Sequence, residues 1–240
     1  MKLDRIIARI EQAGGSVERD DSYPERPVVA IQVSGISITD DWLKVIAGLT
    51  SLRTLDLSFC IITDDGMAHL KRLIHLQRLE LSNALLSDAG LARLPEMCDL
   101  RFLELSGTQI TDAGLAYLAR FTRLQELYLG CTHITGAGLH FLRKLPCLEV
   151  LNLIGTKIGD AGLANLSEMD SLRELLLVGT SITDAGLAHL VGLVGLRKLY
   201  LWATPATDAG VEILKRAMPG LEIERWALEN PFGPYYHAAE

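Results

Sequence analysis

Few cysteines, few aromatic residues, no long apolar run and no excess of basic charge are the first facts of this sequence, and each excludes something. The four cysteines, Cys60, Cys98, Cys131 and Cys147, make no C-x-x-C pair and have no histidine at ligand spacing. That argues against a zinc site or a secreted disulfide framework and fits reduced thiols. Lys and Arg number 23 against 30 Asp and Glu, a net charge of -7. Phosphate binding draws its affinity from clustered basic residues, and no such cluster is present, so nucleic acid is not an expected partner. The opening MKLDRIIARIEQAGG interrupts its apolar residues with charges. Neither a signal-peptide core nor a membrane span can be drawn through it, and the expectation is a cytoplasmic protein without membrane contact.

What is present is a period. From Val28 the chain falls into 24-residue units without a slip in register: VVAIQVSGISITDDWLKVIAGLTS, then units opening at Leu52, Leu76, Leu100, Leu124, Leu148, Leu172 and Leu196, with a ninth, partial unit near Gly220. Self-similarity at a fixed period of this size signals a stacked repeat architecture. Each unit opens L-x-x-L-x-L, whose fourth and sixth positions, such as Leu103 and Leu105, point inward on a strand. The second half changes to helical spacing, as at Leu115, Leu118 and Phe121, behind Thr111 and Asp112, either of which suits a helix start. One strand and one helix per unit cannot bury their apolar sides alone, so the units stack into a parallel sheet backed by helices.

The recurrent Ala-Gly pair on the first helical turn, as at Ala113 and Gly114, predicts close helix approach. In the first unit Trp42 replaces that glycine, which places Trp42 beneath a cap. Residues 1–27 are read as that N-terminal cap: a helix with Leu3, Ile6, Ile7 and Ile10 on one side, ending at Gly14 and Gly15, then a strand over Ser16 to Arg19. Residues 28–219 are the eight full repeats. Residues 220–240 are a C-terminal partial repeat and tail, in which ENPFGPYYHAAE leaves the pattern with two prolines and three aromatics.

The repeated LxxLxLxxT and ITDAGLAxL resemble the leucine-rich-repeat family, in its bacterial form with helical convex sides, abundant in planctomycete-like genomes. The resemblance covers nearly the whole chain. It implies an α/β, right-handed solenoid with a parallel concave β-sheet and convex α-helices. It also implies ligand binding, usually of proteins, with no shared chemistry. Where the family often carries Asn at the ninth position, this chain has Thr108, Thr132, Thr156, Thr180 and Thr204, with Cys60 and Ala84 earlier, which implies a looser turn ladder towards the N-terminal end.

The third, fifth and seventh positions of each strand face the concave surface and divide into two zones. Asp56, Glu80, Glu104 and Glu126, beside Phe59, Phe102 and Tyr128, form an acidic zone suited to a basic segment, or simply a solvated face. Val150, Ile154, Leu176, Val178, Tyr200 and Trp202 form an apolar zone where the fold would accept polar residues, the composition of an interface. Two alternatives stay open for it: cover by the tail with Phe232, Tyr235 and Tyr236, and self-association.

Chemistry finds little support. Cys131 and His133 have no orienting third group or oxyanion hole, and no phosphate loop is present. Asp40, Asp64, Asp88, Asp112, Asp160, Asp184 and Asp208 recur once per unit, but one regular carboxylate per turn falls short of the six to eight oxygens of calcium. Gly136 interrupts the series, and helix capping explains it better. No cofactor, metal or catalysis is expected. The sequence thus reads as a scaffold that binds a protein or peptide on its concave face; the alternative is a substrate-recruiting accessory subunit of a multi-chain enzyme complex.

Overall fold

A computed structural model describes residues 3–225. Ten strands form one sheet in chain order: β1 (Ser16–Arg19), β2 (Val28–Gln32), β3 (Thr54–Asp56), β4 (Arg78–Glu80), β5 (Phe102–Glu104), β6 (Glu126–Tyr128), β7 (Val150–Asn152), β8 (Glu174–Leu176), β9 (Lys198–Tyr200) and β10 (Glu222–Glu224). From β2 to β10 the pairing is parallel, and each residue faces the one 24 positions on, as Leu79 faces Leu103 and Leu103 faces Leu127. The sequence period is therefore the ladder register. Three-residue strands suffice because from β3 to β9 each middle residue is a leucine sunk in the core, and its two neighbours face outward.

The convex side carries α2 (Asp40–Ile46), α3 (Asp64–Met67), α4 (Asp88–Arg93), α5 (Leu115–Leu118), α6 (Asp160–Leu163), α7 (Asp184–Leu190) and α8 (Asp208–Ala217), with 3-10 turns over Ala68–Arg72, Leu139–Lys144 and Ala164–Leu166. Between sheet and helices runs one continuous aliphatic core, from Ile6 in the first helix to Leu221 beside β10. It is this sharing of core between units that supplies the stability no single unit has.

At the N-terminal end, α1 (Leu3–Gln12) buries Ile6, Ile7 and Ile10, and β1 pairs antiparallel with β2 to close the sheet edge. Trp42 is buried against this cap, the Arg9 guanidinium 4.8 Å from its ring centroid. At the other end Leu221 is buried and Met218 and Ile223 pack on the core. The tail residues Phe232, Tyr235 and Tyr236 lie outside the described residues.

The recurrent Asp has a different job from the one expected. Thr or Ser is the N-cap, its hydroxyl accepting from the amide two residues on in α3, α4 and α7. The following Asp reaches into the next unit and grips the Thr or Ser at the equivalent position, which is the N-cap of α3, α4, α7 and α8 and stands three residues ahead of the N-cap of α5 and of the Leu139–Lys144 turn. Six such clasps, Asp40 to Thr63, Asp64 to Ser87, Asp88 to Thr111, Asp112 to Thr135, Asp160 to Thr183 and Asp184 to Thr207, accept the backbone N–H at 2.7–3.1 Å and the hydroxyl at 2.5–2.7 Å. The physical reason is that a residue ahead of the first helical turn has no partner within its helix for its own N–H and hydroxyl hydrogen.

The recurrent glycine follows from the clasp. A Cβ on Gly66, Gly90, Gly114, Gly186 or Gly210 would strike the clasping carboxylate of the preceding unit. The general expectation of close approach thus becomes a specific contact. Trp42 is admissible in the first repeat because no clasping Asp precedes it. At the seam between the fifth and sixth repeats both halves of the clasp are missing, Gly136 standing for the Asp and Gly159 for its Thr. Other bonds cross that seam: Asn165 Nδ2 donates to Gly136 O at 2.9 Å, and Arg143 to Asn165 O at 3.0 Å and Ser167 Oγ at 2.7 Å. Arg225 ends the series by pairing with Asp208 and donating to Ala206 O.

Candidate interaction surface

The fourth and sixth strand positions face the core, so the third, fifth and seventh present one continuous outer face. Six of the ninth-position side chains brace the turn behind it. Thr108, Thr132, Thr156, Thr180 and Thr204 each donate Oγ1 to the carbonyl three residues back, at 2.6–2.9 Å, and Cys60 Sγ reaches Val33 O at 3.2 Å. The eighth residue of every unit takes a left-handed conformation, φ 53 to 72, to leave the sheet. It is Gly35, Gly107, Gly155 and Gly179 in four units, but Phe59, Asn83, Cys131 and Ala203 in the others.

The acidic zone is more self-contained than its composition suggests. Asp56 accepts from the amide of Ser58 at 2.9 Å, and Glu80 pairs with Arg78 at 2.6 Å. Glu126 accepts from the Tyr128 hydroxyl at 2.9 Å. Glu104 is 7% exposed and accepts from Ser106 N at 2.6 Å. Burial, aided by the nearby Glu80 charge, pushes its pKa up to about 7 against those hydrogen bonds, so near neutrality about half of it is uncharged. Arg78 lies 3.4 Å from the centroid of the half-buried Phe102 ring, and Phe102 stacks 5.1 Å from Tyr128, itself 1% exposed. Each of the four carboxylates thus already accepts a hydrogen bond or an ion pair from within the face.

The apolar zone is brought together as expected but is less open. Ile154, Leu176 and Val178 are buried as a cluster separate from the main core, with Val150 and Tyr200 packed against it. Leu176 is 3% exposed, whereas Trp202 beside the cluster is 37% exposed. The expectation of a fully open patch is corrected to a strip with accessible margins. The cause is periodicity itself: side chains of like size at one phase lie about 4.8 Å apart on adjoining strands and cover one another. Sequence reasoning missed Glu174 at the strip's edge, whose Oε1 is buried without a hydrogen-bond partner.

Elsewhere the chemistry is thin. Burial raises the Cys131 thiol pKa, the wrong direction for a nucleophile. Burial also acts to raise Asp112, but Thr135 and the amides of Gly138 and Gly136 outweigh it and hold that carboxyl below its ordinary value. Among the described residues no three His, Cys, Asp or Glu converge as metal ligands, and no helix is long and apolar enough to cross a membrane. An open depression of about 490 Å³ lies at the strand-start rim, lined among others by Asp20, Tyr23, Glu25, Arg53 and His75.

A parallel sheet with one strand and one convex turn per unit defines a repeat solenoid. The sequence pattern described as Leucine Rich repeat matches residues 48–71, 96–119 and 144–167, every second unit at one phase. Among solved structures, an internalin (inlF) from Listeria monocytogenes superposes with a TM-score of 0.63 at 22% identity, over 83% of this chain and 54% of that one. The mouse RP105/MD-1 complex gives 0.65 at 20% identity, over 81% of this chain and 34% of that one. A plant peptide hormone receptor, RGFR1, in complex with RGF2, gives 0.53 at 17% identity, over 82% and 32%. No curated protein matches the chain by sequence. In fold the chain is a leucine-rich-repeat solenoid, and it spans about half the length of the internalin chain and about a third of the other two chains.

Proposed function

We propose that this chain is a non-enzymatic interaction scaffold that binds a protein or peptide on its concave face, at the apolar strip of β7 to β9. The observation that carries the reading is the second apolar cluster, Ile154, Leu176 and Val178 with Val150 and Tyr200, on the side of the sheet away from the main core and beside the exposed Trp202. The fold has no need of it, since the continuous core lies on the other side. Large apolar and aromatic side chains on an outer surface are the material of interface hot spots. Glu174 Oε1 adds specificity, because a partner donor placed there satisfies an acceptor that is now unpaired. Two of the structures similar in fold are complexes, one with MD-1 and one with RGF2, and we extend that mode of use to this chain.

The same reading places the protein in a bacterial cytoplasm, supported by its ITDAGLA repeats and by four cysteines that are all free. The test is site-specific photo-crosslinking in the native host, with a benzophenone amino acid in place of Trp202 or, as the convex control, Ile213. A discrete adduct from position 202 and none from 213 is the expected result. Adducts from 213 alone, or from neither, would refute the concave site.

A further inference from the structure

The loop that joins β1 to β2, residues 20–27, is held in one shape from within. Pro24 and Pro27 fix their own φ, Asp20 N donates to Pro27 O at 2.9 Å, Arg26 N to Tyr23 O at 3.0 Å, and Arg26 Nε to Asp21 Oδ1 at 2.6 Å. This loop and the turns that lead into β3 and β4 enclose the depression of about 490 Å³, a size within the range of small-molecule sites. Its lining carries charges of both signs, Asp20 and Glu25 from the loop and Arg53 and His75 from the repeats, with the Tyr23 ring and Pro27 as apolar surface.

These charges do not neutralise one another. Among the described residues the side chains of Arg53 and Glu25 make no hydrogen bond or ion pair, and Arg53 acts on Asp20 only at longer range. Asp20 turns Oδ1 to both the amide and the hydroxyl of Ser22, which leaves Oδ2 unused. The local partner that other arginines at this phase take is not taken either. Arg173 Nη1 donates to Asp170 O at 2.8 Å and Arg197 Nη1 to Val194 O at 3.2 Å, three residues back in each case, whereas Arg53 makes no such bond to Thr50 O. His75 is engaged by Asp99, Nδ1 to Oδ2 at 3.2 Å, and serves as wall. Opposite charges held apart on a fixed rim suit a simple ion poorly, because an anion meets Asp20 and Glu25 and a cation meets Arg53. A molecule that carries both charges satisfies both sides at once.

We infer that this depression binds a small zwitterion, an α-amino acid or dipeptide with an apolar side chain, its carboxylate on Arg53, its ammonium on Glu25 and Asp20, and its side chain against Tyr23 and Pro27. The site lies at the starts of β2 to β4, away from the strip of β7 to β9, and does not rest on the concave-face reading. The experiment is a titration of the full chain with L-phenylalanine and with glycyl-L-phenylalanine, which space their ammonium and carboxylate differently, followed by backbone amide NMR shifts. Expected is saturable binding of at least one, with shifts centred on the loop and on the turn before β3; the tighter of the two fixes the size of the ligand. The same ligand with its carboxylate amidated, or its ammonium acetylated, is expected to bind about tenfold more weakly. Arg53→Gln and Glu25→Gln should each cause a comparable loss, and Arg101→Gln, at the same phase two repeats on, none. Arg53 and Glu25 are exposed, so the variants keep the fold, which unshifted amides of β5 to β9 verify. Saturation by neither zwitterion, equal binding of the single-charge forms, or native affinity in Arg53→Gln would overturn the site and leave the crosslink at position 202 untouched.

Discussion

Replacing a helical glycine by alanine ordinarily stabilises a protein by about 1 kcal/mol, and Gly114, with φ -61 and ψ -30, has a backbone that alanine adopts freely. Here the opposite sign is expected. A Cβ on Gly114 would press on Oδ1 of Asp88 and lie 3.0 Å from its Cγ, so the carboxylate must swing away. It then releases the Thr111 amide at 2.9 Å and hydroxyl at 2.6 Å. Each charge-assisted bond is worth about 1.5–3 kcal/mol when buried, and these half-buried ones are taken at the lower end. Subtracting the helical gain leaves Gly114→Ala destabilising by roughly 2 kcal/mol. The assay is urea unfolding followed by circular dichroism, run as a double-mutant cycle with Asp88→Ala. In the Asp88→Ala background the nearest remaining obstacle is Ile110 Cγ2 at 3.1 Å, and the alanine should become neutral or favourable. A Gly114→Ala variant that stabilises the native chain, or a cycle without coupling, would show that the glycine does not serve the clasp.

Three further outcomes follow from the same structure. Glu104 has a folded pKa of about 7 against an ordinary 4.5, raised by burial, so the folded chain retains a proton that the unfolded chain releases. Stability should therefore fall as pH rises from about 4.5 to 7, by about 3 kcal/mol, and Glu104→Gln should flatten that slope in unfolding curves taken across the window. Ala203 sits at φ 54, where glycine is unstrained, so Ala203→Gly should raise the unfolding midpoint by the equivalent of about 0.5–1 kcal/mol, reversing the usual penalty. Arg225→Ala removes the donor that ends the clasp series at Asp208 and Ala206 O, and hydrogen exchange should speed up in β10 while β4 to β6 keep their protection.

The solenoid was legible because one period carries everything: Leu103 and Leu105 point inward for the same reason in every unit, and the 24-residue spacing is itself the strand register. At the N-terminal end the apolar residues Ile6, Ile7, Ile10 and Trp42, which interrupt the polar pattern of the sequence, are buried. The Asp–Thr clasp was not read, because its partners lie 23 residues apart and each looks complete as a helix-start signal by itself. A clue was present in the paired loss of Asp at Gly136 and Thr at Gly159. On the concave face the columns were read correctly as positions, but composition does not report pairing. Asp56 turned to the Ser58 amide, Glu80 to Arg78 and Leu176 into a cluster are outcomes of lateral contact between strands, which a column by itself does not show.

The most direct test of the concave-face reading is the affinity of the purified chain for a partner recovered by crosslinking, compared with Trp202→Ala and with the convex variant Ile213→Ala. Trp202 is an accessible aromatic at the strip's margin and Ile213 is 67% exposed on α8, so both truncations leave the core intact. A loss of about 2 kcal/mol, roughly thirtyfold in Kd, is expected for Trp202→Ala, with Ile213→Ala unchanged. Unaltered affinity in Trp202→Ala alongside a loss in Ile213→Ala would place the partner on the helices and contradict the assignment.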